Sequence, residues 1–132
     1  MIVFADTFAL IAWLNPSDNA HAQVAAYLDT FTGKMVTTEW VLVELADALS
    51  APTARGIAVA FLRAVRADPQ FEVVGYSQSV YEAGFTLFAD RPDKGWSLTD
   101  CISFSVMADR KLTDALTADQ HFVQAGFRAL FK

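Results

Sequence analysis

Residues 1–15 read MIVFADTFALIAWLN. Ile2–Ala5 is a short apolar run of the kind that makes a buried strand. Thr7–Leu14 is nearly as apolar and is bounded by Asn15-Pro16-Ser17, which breaks a helix. A strand that passes within one residue into a helix opens an alternating βα pattern. Asp6 stands at the junction, at the carboxyl end of the strand, and open α/β sheets bind ligands in the crevice beyond such ends.

The same alternation runs through the rest of the chain. A helix capped by Ser17 or Asp18 is expected to reach about Phe31. Lys34–Thr38 reads as a second strand, and TTEWVLVELADALSA (37–51) as a helix capped by Thr38 and closed by Pro52. A helix over about 53–67 ends at Asp68-Pro69, and 71–75 alternates as a strand. Ser77 caps a helix over about 78–89, and 91–95 is a loop. SLTDCISFSVMADRK (97–111) reads as a helix opened by Thr99 and ended by basic residues that suit its negative terminus. Strand 114–117, short helix 119–124 and strand 127–131 follow. This order predicts an α/β fold, a three-layer α/β/α sandwich around a central, mainly parallel sheet of about five strands. With 132 residues and no repeat, low-complexity tract or long linker, residues 1–132 are expected to form a single domain.

Apolar residues make up 54% of the chain, with eleven phenylalanines and three tryptophans, which excludes disorder. That aromatic content also suggests surface for a partner chain to cover. Net charge is −5 and the acids are scattered, so nucleic acid could be held only by a local basic patch or by bound cations. Cys101 is the single cysteine; no internal disulfide can form, and a cytoplasmic location is expected. The N-terminal apolar stretch lacks a basic start and is interrupted by Asp6 and Asn15-Pro16, so neither a signal peptide nor a membrane span is expected.

Four acids occupy positions where carboxylates are costly. Asp6 and Asp119 follow strands, and Asp100 lies in the first turn of a helix whose Cys101, Ile102, Phe104, Val106 and Met107 should pack inward. Glu44 shares a helical stripe with Trp40, Val41 and Ala48, where an ionised side chain costs several kcal/mol unless compensated. Asp47 lies near the edge of that face. Singly, each acid has a structural reading: a cap for Asp6 and Asp119, the helix dipole for Asp100, an arginine partner for Glu44. Together they lack a basic residue near Asp6 or Glu44 in sequence. Clustered carboxylates without a counter-charge force one to keep its proton, and a hard divalent cation relieves them. Oxygen-only ligation indicates Mg²⁺ or Mn²⁺ rather than zinc. His21 reads as a surface helix residue; His121, two residues past Asp119, reads as solvent-facing, with contact to the site the alternative; neither joins a metal-binding spacing. No glycine-rich phosphate loop and no GxSxG elbow exists.

ADTFALIAWL (5–14), TTEWVLVELADALS (37–50), DKGWSLTDCISFSVM (93–107) and ALTADQHFVQAGF (115–127) together resemble a PIN domain. They are most similar to the VapC-like ribonuclease toxins of bacterial type II toxin–antitoxin modules, and the resemblance spans Asp6 to Phe127. It puts the family's acidic quartet on Asp6, Glu44, Asp100 and Asp119. It implies metal binding by Asp6, Asp100 and Asp119, with Glu44 binding metal or orienting the attacking water. Thr7, Thr99 and Thr117 match places where the family keeps a small polar residue near the acids; Thr99 also reads as a helix cap. Asp47 and Gly95 depart from the family pattern, and Asp93 fits a recurrent family acid with a plain loop role equally open. The implied activity is a Mg²⁺- or Mn²⁺-dependent endoribonuclease that hydrolyses RNA phosphodiester bonds with a metal-activated water. The implied partners are RNA, a small antitoxin and a second copy of the chain, with no membrane. Arg91 and Lys94 are candidates to grip RNA, Arg63 and Arg66 read as a solvated helix face, and Trp96 as packed under its loop. The alternative is a non-catalytic RNA- or protein-binding module that keeps the acids as a structural metal site. A phosphatase or phospho-receiver is disfavoured, since no DxD pair follows the first strand and no clear late-strand lysine is present.

Overall fold

The computed structural model describes residues 1–132. In chain order its elements are β1 (Ile2–Ala5), α1 (Thr7–Leu14), α2 (His21–Thr30), β2 (Lys34–Thr38), α3 (Glu39–Ala48), α4 (Arg55–Val65) and β3 (Phe71–Val74). There follow α5 (Gln78–Asp90), α6 (Leu98–Asp109), β4 (Asp114–Leu116), α7 (Gln120–Gln124) and β5 (Arg128–Ala129). The five strands form one sheet in the order β3-β2-β1-β4-β5, and every neighbouring pair is parallel. The expected α/β sandwich with a central five-stranded sheet is therefore present, and its sheet is wholly parallel. Val3, Phe4 and Ala5 point alternately to opposite faces of β1, and all three are fully buried, so both faces of the sheet are covered.

From β1 the chain steps outward through β2 to β3, then returns to lay β4 on the other side of β1. The strand order reverses between β1 and β4, which makes the gap between their carboxyl ends the natural binding crevice. Phe4 pairs with Ala115 and Ala5 with Leu116 in register, so residues 6 and 117 leave the sheet side by side. The Thr37 hydroxyl donates to the Ala5 carbonyl at 2.8 Å and fixes the end of β1 from its other neighbour. Below this rim the core is built on Phe4, Leu10, Leu42, Leu45, Met107, Leu116 and Phe122. Phe104 sits within it, 4.9 Å from Phe122 and 5.1 Å from Trp96 between ring centres.

Several local expectations are corrected. The cap of α6 is Ser97, not Thr99: the Ser97 hydroxyl accepts from the Asp100 amide, and the Asp100 carboxylate accepts in return from the Ser97 amide. Thr99 lies inside the first turn. Helix α2 begins at His21 because the Asp18 carboxylate closes a turn on the Ala20 amide instead of capping a helix. Helix α3 ends at Ala48, before Pro52 can act on it, and β5 is reduced to two residues. Arg66 is no free surface cation. It grips the buried Glu39 with two bonds of 2.6 and 2.8 Å, which hold the Glu39 carboxyl below its usual range. No helix is long and apolar enough to cross a membrane.

Gly84 lets α5 approach α6. A Cβ at this position would fall on Ile102 Cγ1 and lie 2.8 Å from the Ile102 Cα. Gly84→Ala is therefore expected to destabilise the protein by roughly 1–3 kcal/mol or more, read as a lowered denaturation midpoint.

Candidate functional site

Asp6 occupies the junction of β1 and α1 with extended backbone, but its side chain makes no capping bond. Its carboxylate turns into the crevice instead, where Oδ2 accepts a 2.8 Å hydrogen bond from the Thr117 hydroxyl. The residue is 6% exposed. Burial pushes its carboxyl up to about 7; the charges of Asp100 and Glu44 add to the rise, and the Thr117 hydroxyl opposes it. Those two charges reach Asp6 from helices far apart in the chain.

Glu44 comes to the rim from α3, held by a 2.6 Å bond from the Thr7 hydroxyl to its Oε1. It does not face the core. The buried stripe of α3 is Val41, Leu42, Leu45 and Leu49, while Ala48 is exposed and Trp40 packs against Tyr76 at 5.3 Å. Glu44 stands at the border of that stripe, half-buried, which reduces the desolvation cost that a core position would impose. Asp47 is exposed.

Thr117 is fully buried and ties two acids together: while donating to Asp6 it accepts from the Asp119 amide at 3.1 Å. Asp119 caps the short α7 by accepting from the His121 amide at 2.9 Å. Asp100 reaches the same place from the first turn of α6. Its Oδ2 lies 3.2 Å from His121 Nδ1, which is 3.5 Å from Asp119 Oδ1. One donor atom from each of Asp100, Asp119 and His121 lies within 4.8 Å of the others. The structure thus gathers Asp6, Glu44, Asp100, Asp119, Thr7 and Thr117 at one rim. Thr99 makes no hydrogen bond to any of them.

His121 touches Asp100 and Asp119, the less favoured of the two positions that the sequence left open for it. Its one signal was a position two residues after Asp119. Ser103, fully buried on α6 one turn after Asp100, has a hydroxyl without a partner. Cys101 is buried as well, with burial raising its thiol above the ordinary range.

The loop candidates have partners of their own. Arg91 binds Asp93 through two bonds of 2.9 Å and lies 5.2 Å above the Trp96 ring. The Arg91 bond holds the Asp93 carboxyl down, and Asp93 faces that arginine rather than the acids. Trp96 is packed under the loop as expected, its indole donating to Gln124 at 3.0 Å. Arg91, Lys94, Trp96, Phe85 and Phe88 together line a cleft that extends to Cys101 and includes none of the four acids.

No lysine or arginine pairs with any of the four acids; His121 is the single basic group in contact with them. Several carboxylates facing one another without a permanent counter-charge, one of them buried, make a donor set that fits a divalent cation bound mainly through oxygen. The absence of paired cysteines argues against a structural zinc site.

The family model described as PIN domain matches residues 3–128. The structure of VapC20 from Mycobacterium tuberculosis, described as a toxin that cleaves the sarcin–ricin loop, superposes with a TM-score of 0.87 at 24% identity, covering 96% of each chain. VapBC2 from Rickettsia felis, bound to a DNA fragment from its promoter, gives 0.67 at 15% identity, covering 98% of this chain and 97% of that one. FitAcB from Neisseria gonorrhoeae gives 0.67 at 18% identity over 100% and 97%. No curated protein matches the sequence.

Proposed function

The chain belongs to the PIN domain family, and from that premise we propose that it is a Mg²⁺- or Mn²⁺-dependent endoribonuclease, the VapC-like toxin of a toxin–antitoxin pair. The observation that carries the reading is Asp6: a buried carboxylate beside two further acids, with no lysine or arginine to neutralise it. A protein retains such an arrangement at a cost unless a ligand of positive charge completes it.

In this reading Asp6, Asp100 and Asp119 hold the cation. Each carboxylate is already oriented by the protein. The Thr117 hydroxyl fixes Asp6, the Ser97 amide fixes Asp100 and the His121 amide fixes Asp119, leaving the remaining lone pairs free. A cation held there would supply a more acidic water as nucleophile and would neutralise charge on the phosphate and leaving oxygen. Glu44, with Oε1 occupied by Thr7, keeps Oε2 free to orient the attacking water. Arg91 and Lys94 line a cleft of their own, and in this reading their charge attracts an RNA phosphate despite the acidic net charge, although Arg91 is shared with Asp93. Thr99 is left without a role.

A small antitoxin and a second copy of the chain are the protein partners of this reading. It is supported by exposed apolar side chains, among them Val43, Ile57, Tyr76, Phe85 and Phe88. The setting we propose is the cytoplasm.

The test is purified protein incubated with total RNA and Mn²⁺ or Mg²⁺, with the cut positions mapped. Defined breaks are expected, stopped by EDTA and restored by excess Mn²⁺. Cleavage that ignores EDTA refutes the metal mechanism. RNA binding without any breakage favours the non-catalytic module.

A further inference from the structure

Resting on the metal-centre reading above, we propose that His121 belongs to the centre itself, as a nitrogen donor beside the carboxylates, and that the site therefore favours Mn²⁺ over Mg²⁺. The sequence alone led to an oxygen-only centre, so this inference alters the expected chemistry.

The placement of His121 comes from two independent constraints. Its backbone is anchored to Asp119 by the capping bond at 2.9 Å. Its ring then turns back across the rim toward α6, so that Nδ1 faces Asp100 Oδ2 at 3.2 Å and Asp119 Oδ1 at 3.5 Å. Neighbouring ligands around an octahedral ion with bonds near 2.1 Å lie about 3 Å apart. Both separations are close to that edge length, and a slight contraction would make them ligand pairs. The cap already holds Asp119 Oδ1 beside His121, so the contact that selects the ring's direction is the one with Asp100, and it brings Nδ1 among donor atoms of both carboxylates that lie within 4.8 Å of one another. The side chain is 28% exposed, so water and ions reach it.

The donor chemistry gives the metal preference. Mg²⁺ takes oxygen ligands and holds its waters tightly, whereas imidazole binds the first-row transition ions well. As a ligand His121 would have to present Nδ1 without its proton, in place of the hydrogen bond that Nδ1 makes to Asp100 in the absence of an ion. Removing it leaves the three carboxylates, a set that serves Mg²⁺ nearly as well as before and Mn²⁺ less well.

The experiment uses the full chain as wild type, His121→Ala and His121→Gln, each checked for folding by its thermal melt. Mn²⁺ and Mg²⁺ affinities are measured by calorimetry, and the Mn²⁺-loaded proteins by pulsed paramagnetic resonance. Wild type is expected to show coupling of Mn²⁺ to a directly bound ¹⁴N, absent in both variants. Mn²⁺ affinity is expected to fall at least about tenfold in the variants, while Mg²⁺ affinity changes much less. Mn²⁺ bound by wild type without ¹⁴N coupling, or equal losses for both ions in the variants, overturns the inference and leaves the nuclease reading standing. Failure of the wild type to bind either ion overturns both.

Discussion

Asp100→Asn is expected to lower RNA cleavage by about three orders of magnitude or more, with the fold intact. The substitution keeps shape and an acceptor oxygen, so the bond from the Ser97 amide and the cap of α6 can survive. What it removes is one full negative charge from a centre that has to hold a dication and stabilise a phosphoryl transition state. Several kcal/mol of such stabilisation corresponds to a thousandfold in rate. The measurements are the rate at a mapped cleavage site, Mn²⁺ affinity and the thermal melt of the same preparation. Cleavage within tenfold of wild type, at saturating metal, would remove Asp100 from the mechanism.

Asp6→Asn is expected to raise the stability of the metal-free protein. The Asp6 carboxyl has its pKa raised from 3.8 to about 7 by burial, helped by the charges of Asp100 and Glu44. The folded protein therefore holds the proton more tightly than the unfolded chain does. The stability this lends is fully present below about pH 4, and it is lost as pH rises through about 7. In metal-free wild type the loss by pH 8 amounts to about 4 kcal/mol at most. Asparagine mimics the protonated form at every pH and avoids that loss. With EDTA present, the variant is expected to melt roughly 5–10 °C above wild type at pH 8 and close to it at pH 4. Saturating Mn²⁺ should then raise wild type more than the variant, which keeps Asp100, Asp119 and His121 but has lost one ligand charge, because a bound ligand stabilises the folded state by mass action. An Asp6→Asn protein that melts below metal-free wild type at pH 8 would mean that the carboxylate is not the electrostatic burden described here. Cleavage should be lost in this variant too, which makes it a protein traded toward stability and away from activity.

The acids at the crevice were legible because their placement follows from local rules. Asp6 and Asp119 flank strands, and a parallel sheet brings strand ends to one rim. Where the sequence misled, two local signals competed or none existed. Ser97 and Thr99 both precede the apolar run of α6, and proximity favours Thr99, although Ser97 and Asp100 at three residues' spacing form a capping box. Helix α3 is apolar on more than one side, with Trp40, Val41, Leu42, Val43 and Leu45 in succession, so periodicity could not fix its phase. Glu44 was turned into the core by that ambiguity.

By itself the sequence determined the alternation of strands and helices and the apolar core, because periodicity, capping and strand ends act over a few residues. Only the tertiary structure decided which groups touch. Thr117 reaches Asp6 across 111 positions, Arg66 answers Glu39 across 27, and His121 meets Asp100 across 21. Such contacts depend on the strand order β3-β2-β1-β4-β5. That order is set by how the whole apolar surface is buried at once, a global balance that no single segment encodes.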